Sequence, residues 1–501
     1  MSKPAYLLGI DIGSSSVKIS ILDSSTGESV GSAQSPEKEE LSMISDQPGW
    51  AEQEPEVWWD HLLKAFSRAV STNHISKSDI SAIGISYQMH GLVLVDENHK
   101  VLRPSIIWCD SRAAPIGEKA FRDLGEEFSL KHYLNSPGNF TASKLKWVKD
   151  NEPDLFKKIH KIMLPGDYIA MKLSDTISTT VTGLSEGIFW DFKNESVAGK
   201  LLDYYGISPD LLPDALPSFT VHSSVSKKSA KLTGIPEGTP IAYKAGDQPN
   251  NAYSLNVLHP GEVAATAGTS GVIYGITDSP DYDAKSRVNT FVHVNHESGH
   301  HRYGVLLCVN GTGILNSWIR RNLFRGEISF EQMNEMAEQA PVGSDGLTVF
   351  PFGNGAERIF ENRDFGGRFN GLNFNRHETS HLLRASQEGI VFALHYGFQI
   401  MQQMGLKLDR VKAGHANMFL SPLFRKAFVN TTGATLELFN TDGSLGAARG
   451  AGAGAGIYSS PDEAFSGLKQ INLIEPDANL QPQYQDAYQK WLEKLESQLS
   501  I

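Results

Sequence analysis

Two carboxylates stand out because each closes a short apolar run and precedes small or flexible residues. Asp11 ends the run "LLGIDI" and is followed by Gly13, Ser14, Ser15 and Ser16. A turn of this composition lets backbone N–H groups and hydroxyls approach phosphate oxygens, and a carboxylate beside it can hold Mg²⁺, often through water. The same residues also describe an ordinary hairpin turn. Lys18, on the returning strand, either adds charge to such a site or faces solvent. Asp247 stands in "YKAGDQPNNAY", directly behind Gly246. That place suits a general base accepting a proton from a substrate hydroxyl, and it equally suits a turn or helix cap.

Two further clusters follow apolar runs. One is Gln88, Met89, His90 and Gly91; the other is Trp108, Cys109, Asp110, Ser111 and Arg112. An indole face with His, Gln, Asp and Arg around it is a set that grips a polyol, and strand ends are where sheet proteins place ligands. The competing reading is a core Trp with an Asp/Arg surface pair. His300 and His301, in the turn "NHESGHH", read as solvated residues and not as metal ligands.

The elements that must position these groups are legible from periodicity. Tyr6–Ile12, Val17–Leu22 and Ser29–Ala33 read as an antiparallel meander. Pro55 opens a helix whose apolar face carries Trp58, Trp59, Leu62, Leu63, Phe66 and Val70. A strand over Ala82–Tyr87, a hairpin partner at Leu92–Val95 and a strand at Ser105–Trp108 follow. The order begins again near residue 261, with strands over Glu262–Ala267, Val272–Ile276, Asn289–Asn295 and His301–Asn310 and a helix over 314–324. "DIGSSSVKI" and "AGTSGVIYG" are alike: a strand, a small polar turn, a returning strand. A duplicated fold would set two such turns face to face across a cleft. The Gly/Ala alternation at 450–456 lacks GxGxxG spacing and reads as a small-residue helix packed closely on a sheet.

Composition limits the remaining choices. The 501 residues exceed one ordinary domain, and 40% apolar with 20% charged residues is a globular balance. A net charge of -12 without a basic run makes nucleic acid and anionic membranes poor partners. Only Cys109 and Cys308 are present, which offers no disulfide framework and suits a reducing cytosol. No signal peptide and no membrane span are expected, so the reading is a cytoplasmic protein.

In order along the chain, "LLGIDIGSSSVKISILD", "PGWAEQEPEVWW", "IGISYQMHGLVLVD", "IIWCDSR", "FTASKLKWVKDNEP", "MLPGDYI", "AGDQPNNAYS", "AGTSGV" and "NTDGSLGAARGAG" resemble the FGGY family of carbohydrate kinases. The resemblance implies an α/β fold of two actin-like, ribonuclease H-like lobes, 1–258 and 259–501, with ATP in the cleft between them. It implies Asp247 as the catalytic base and Asp11 near Mg²⁺ and the phosphates. Gly13, Ser14, Ser15 and Ser16 match the first phosphate loop, and Gly268, Thr269 and Ser270, with Gly311, the second. Gly414 and Asn417 fall where the family contacts adenosine. Met89, His90, Trp108 and Gln248 fall beside the sugar.

The implied reaction moves the γ-phosphoryl of ATP to the 5-hydroxyl of D-xylulose, giving D-xylulose 5-phosphate and ADP. Ribulose or another polyol is the near alternative, and a non-catalytic ATP-binding protein of the actin or chaperone type the distant one. The partners implied are a small sugar and ATP; pairing into a homodimer is left open. Three departures from the family pattern bear on the site. Gly-Gly-Gly-Ala is here Ala413-Gly414-His415-Ala416, Gly-Glu-Arg-Thr-Pro is Ala356-Glu357-Arg358-Ile359-Phe360, and Asp-Asn is Asp247-Gln248.

Overall fold

The computed structural model describes residues 5–37 and 40–499. The first sheet has six strands: β1 (Tyr6–Ile12), β2 (Val17–Asp23), β3 (Ser29–Ser35), β4 (Ile80–Tyr87), β5 (Phe219–Ser224) and β6 (Pro240–Gly246), in the order β5-β6-β4-β1-β2-β3. The three strands of the meander are antiparallel, whereas β1, β4 and β6 run parallel. Leu7, Leu8, Ile10 and Ile12 are all buried, as expected of a strand covered on both faces.

One face is covered by α1 (Pro55–Thr72), which starts with proline in its first turn and buries Trp58, Trp59, Leu62, Phe66 and Val70. The other is covered by a helix from the far end of the chain, Gly443–Gly454. Its small residues let it lie almost on the strands. A Cβ at Gly9 of β1 would stand 1.8 Å from the Ser444 carbonyl oxygen, and one at Gly84 of β4 would stand 1.9 Å from that of Ala447. Close helix–sheet approach is therefore the reason for the Gly/Ala alternation.

The second sheet has seven strands: β7 (Val263–Ala267), β8 (Gly271–Thr277), β9 (Asn289–Val292), β10 (Tyr303–Val309), β11 (Arg410–Gly414), β12 (Thr435–Phe439) and β13 (Gln470–Ile474). Their order is β9-β10-β8-β7-β11-β12-β13. Strands β10, β8 and β7 form an antiparallel run, β11 and β12 continue parallel to β7, and β13 closes antiparallel. This repeats the first sheet's sequence of meander, two parallel strands and an antiparallel edge. The duplication suggested by the two turns is thus present in the topology.

One local expectation is corrected. Val93–Val95 does not return against β4; it pairs with Lys161–Met163, and Ser105–Ile106 pairs with Glu52–Gln53. His90, at φ 63°, turns the chain away from the sheet before a hairpin can close. Among the described residues, no helix is long and apolar enough to cross a membrane.

Candidate active site

Three parallel neighbours, β1, β4 and β6, end at one edge of the first sheet, the usual place for a ligand in an open α/β sheet. Asp11 and Ala245 both register against Ser86, and Gly246 against Tyr87. Asp11 and Asp247 are therefore brought to one edge from opposite sides of β4. Burial raises the Asp11 carboxyl; Lys18 opposes this, Asp442 adds to it, and Ser86 opposes it. Burial also pushes Asp247 up to about 7, with the Asp11 charge contributing and the backbone and side chain of Gln248 opposing. Asp247 opens the helix Asp247–Ser254, and the Oε1 of Gln248 is buried without a partner.

The residues after β4 form one wall. Met89 is buried, and the ring of His90 lies 4.9 Å from Phe140 and 5.5 Å from Phe291 between centroids. His90 Nδ1 lies 2.9 Å from the Glu186 carbonyl oxygen, so Nδ1–H donates there and Nε2 is the free ring nitrogen. Burial and then the Lys144 charge lower its pKa to about 3, so the ring is neutral. Lys144, itself buried, donates from Nζ to the carbonyls of His90 (2.9 Å) and Ile107 (2.8 Å), tying the two clusters together.

The second cluster divides. Asp110 and Arg112 are a buried pair, not the surface pair weighed above: Asp110 accepts Nε and Nη2 of Arg112, whose guanidinium lies 3.8 Å from the Trp50 ring centroid. They brace the loop, and Nη1 of Arg112 also lies 2.6 Å from Oε1 of Glu52. Trp108 is half-buried, and Cys109 is exposed beside it.

The first small turn is closed by Gly13 N–H donating to the Ser16 carbonyl (3.0 Å), and Gln53 Nε2 holds the carbonyl of Ser14 at 2.7 Å. In the second turn, the N–H groups of Gly313 and Ile314 donate to the carbonyls of Gly268 and Thr269. Thr269 remains exposed. Gly311 is buried, and a Cβ there would stand 1.4 Å from the Pro351 carbonyl oxygen. It closes the turn from behind. Asn417, at φ 55°, puts Nδ2 3.5 Å from where a Cβ of Gly268 would be, so the segment after β11 does meet the second turn. Gly414 packs under Thr441.

Besides Asp442, whose charge acts on Asp11, three site residues were not singled out by sequence reasoning. Glu186, the last residue of the helix Val181–Glu186, is fully buried against His90 and Gly246. Lys144 and Arg358 appeared only inside quoted segments. Arg358 has its guanidinium 5.0 Å from the Phe140 ring and its Nη1 buried without a partner. Burial pushes it down to about 10, leaving it charged at neutral pH. Its charge acts on both His90 and Cys308, and Cys308 in turn is bonded to Ser270 of the second turn. Arg358 therefore links the His90 wall to the second small turn. Only the fold shows this, since the contributing residues are up to 268 positions apart (358 minus 90). Of the two histidines expected in solvent, His300 is exposed and His301 is partly buried against Glu195, with Nδ1 3.3 Å from Oε1.

The chain is similar to known proteins over nearly its whole length. The model of the FGGY family of carbohydrate kinases, N-terminal domain, matches residues 6–253, and that of the C-terminal domain matches 263–455. A xylulose kinase of Bacillus subtilis (strain 168) is 30% identical over 492 residues, covering 96% of this chain and 95% of its own. A gluconokinase of the same organism is 29% identical over 429 residues, covering 82% of this chain and 79% of its own. The crystal structure of a xylulose kinase from Rhodospirillum rubrum superposes with a TM-score of 0.84 at 25% identity, over 98% of each chain.

Proposed function

The chain belongs to the FGGY family of carbohydrate kinases, and from that premise we propose that its acceptor is D-xylulose, phosphorylated at the 5-hydroxyl to give D-xylulose 5-phosphate and ADP. The observation that carries the reading is Asp247: a carboxylate at the end of β6, poised near 7, facing Asp11 and adjoining the Met89–His90 wall. The xylulose kinase relative, similar over nearly the full chain, supports the choice of sugar.

In this reading the 5-hydroxyl lies against Asp247, which accepts its proton as the oxygen bonds to the γ-phosphorus. The bond from that phosphorus to the bridging oxygen breaks, and the electron pair leaves on ADP. Phosphoryl transfer asks little covalent chemistry of a protein, so positioning and charge stabilisation supply most of the rate. His90 Nε2 and Met89 border the sugar, with Trp108 and Gln248 as further neighbours. Gly13 to Ser16 and Gly268 to Ser270 receive the phosphates from the two lobes, 1–258 and 259–501, and Asn417 and Gly414 border the nucleoside. Arg358 supplies a fixed cation between sugar and phosphates.

The donor set fits Mg²⁺. Asp11 and Asp442 are oxygen ligands of the kind that hard cations take, and the Asp442 charge raises the cost of ionising Asp11 until a cation offsets it. When bound there, Mg²⁺ neutralises phosphate charge. A kinase that draws on ATP and a free sugar is read as cytoplasmic.

The test is a coupled ADP-release assay over a panel of pentuloses, alditols and aldonates. D-Xylulose is expected to give the highest kcat/KM. A different sugar exceeding it by more than about tenfold, roughly 1.4 kcal/mol of transition-state binding, overturns the choice. The gluconokinase relative favours an aldonate as the second reading, and the same panel decides it.

A further inference from the structure

Glu186 is buried to 0% exposure at the junction of two walls of the site. Its Oε1 accepts the backbone N–H of His90 at 3.2 Å. Its Oε2 is buried and has no hydrogen-bond partner among the described residues. A Cβ at Gly246 would stand 2.5 Å from that oxygen and 2.5 Å from Met89 Cγ, so Oε2 lies between Met89 and the residue that precedes Asp247. An unpaired polar atom in such a place keeps its desolvation cost, and a ligand that pairs it recovers that cost.

We propose that Glu186 is a substrate-binding residue of this kinase, donating a hydrogen bond from Oε2 to the carbonyl oxygen of an open-chain keto-sugar. The proposal rests on the reading of this cleft as a ketose site, and it adds the group that would read the keto oxygen. The chemistry follows from the acid's surroundings. Burial holds its carboxyl well above the ordinary range, and the charges of Asp247 and Asp167 add to this, while the His90 N–H and Lys144 oppose it. A neutral carboxylic acid with one oxygen already accepting has one O–H left to give. A carbonyl oxygen accepts without donating, so it matches that group; an alditol hydroxyl can accept there too, but it brings an O–H of its own that needs a further acceptor. The Met89 side chain beside Oε2 is unbranched and can shift aside when a sugar enters.

The test compares wild type, Glu186→Ala and Glu186→Gln with D-xylulose and with xylitol, the alditol that lacks the carbonyl. Removing the donor should raise the KM for D-xylulose by about tenfold or more, the worth of one buried hydrogen bond, and narrow the preference for D-xylulose over xylitol by at least about fivefold. The KM for ATP should change by less than about twofold, since Glu186 lies on the sugar side. Glu186→Gln keeps an amide N–H in the place of Oε2 and should recover at least about threefold of the lost sugar KM.

Equal losses toward both sugars and ATP would show a merely structural role and overturn the proposal, as would an unchanged sugar preference in Glu186→Ala. If Glu186→Ala does not fold, the alkaline limb decides. Wild-type sugar KM should rise where the acid ionises, and Glu186→Gln should lack that rise; identical limbs overturn the proposal. Failure of the ketose reading looks different. Wild type would then not turn over D-xylulose, and a preferred substrate without a carbonyl would remove the role assigned to Glu186.

Discussion

Asp11, near the start of the chain, and Gly443, near its end, meet: a Cβ on Gly443 would stand 2.5 Å from Oδ2 of Asp11. The glycine opens the long small-residue helix, and its neighbour Asp442 caps that helix by accepting the Leu445 N–H at 2.9 Å. The helix that packs on the first sheet therefore also fixes the room around the first carboxylate. Gly443→Ala should cut turnover at saturating sugar by about tenfold or more, because a methyl group displaces the Asp11 carboxylate that we assign to Mg²⁺. Asp11→Ala should do the same while leaving sugar binding to the free protein largely intact. Calorimetry with sugar alone, beside steady-state kinetics with Mg²⁺-ATP, separates the two. Loss of sugar affinity with normal turnover at saturation would place Asp11 in the wrong half of the site.

Asp247→Asn keeps size and much of the hydrogen bonding but removes the proton acceptor. Its kcat should fall by about 10² to 10⁴, the usual worth of a general base. Steady-state kcat beside a thermal melt checks this. A folded variant with more than about a tenth of wild-type turnover would remove Asp247 from the role.

The pH profile tests the same group independently. A protonated Asp247 cannot accept a proton, so with its carboxyl near 7 the sugar kcat/KM should rise with pH through that value and flatten above it. Below it the rate should fall about tenfold per pH unit, as for one essential base in the free enzyme. A flat profile from pH 5 to 8 contradicts the assignment.

Arg358→Ala should lower kcat by about 10² or more, since a fixed cation beside transferring phosphate acts in a site shielded from water. Arg358→Lys should recover part of the rate, restoring charge without the planar fork. If both variants turn over at the wild-type rate, the guanidinium only packs on Phe140.

Gly84→Ala tests the packing that positions the site. The new Cβ would stand 1.9 Å from the Ala447 carbonyl oxygen, so helix and sheet must separate. Overpacking of this kind typically costs about 1 to 3 kcal/mol, and the melting temperature should drop accordingly. An unchanged melt would show that the helix can shift freely.

How much of this was legible beforehand differs between groups for physical reasons. Asp11, Asp247 and the two small turns could be found from the chain alone because strand ends and turns are written in short-range patterns of apolar and small residues. The meander, α1 and the Gly/Ala helix follow from the same local periodicity. One expectation failed where a distant segment competed with a near one: Val93–Val95 pairs with Lys161–Met163 instead of β4. Asp110 and Arg112, two residues apart, were seen as a pair, yet only Trp50, Trp147 and Glu52 around them made the pair a buried one. Sequence by itself determined which residues could do chemistry and which elements would carry them. Tertiary structure alone decided that Glu186, Lys144 and Arg358 join them, because a buried charge is defined by what surrounds it, and those surroundings come from strands and helices far away along the chain.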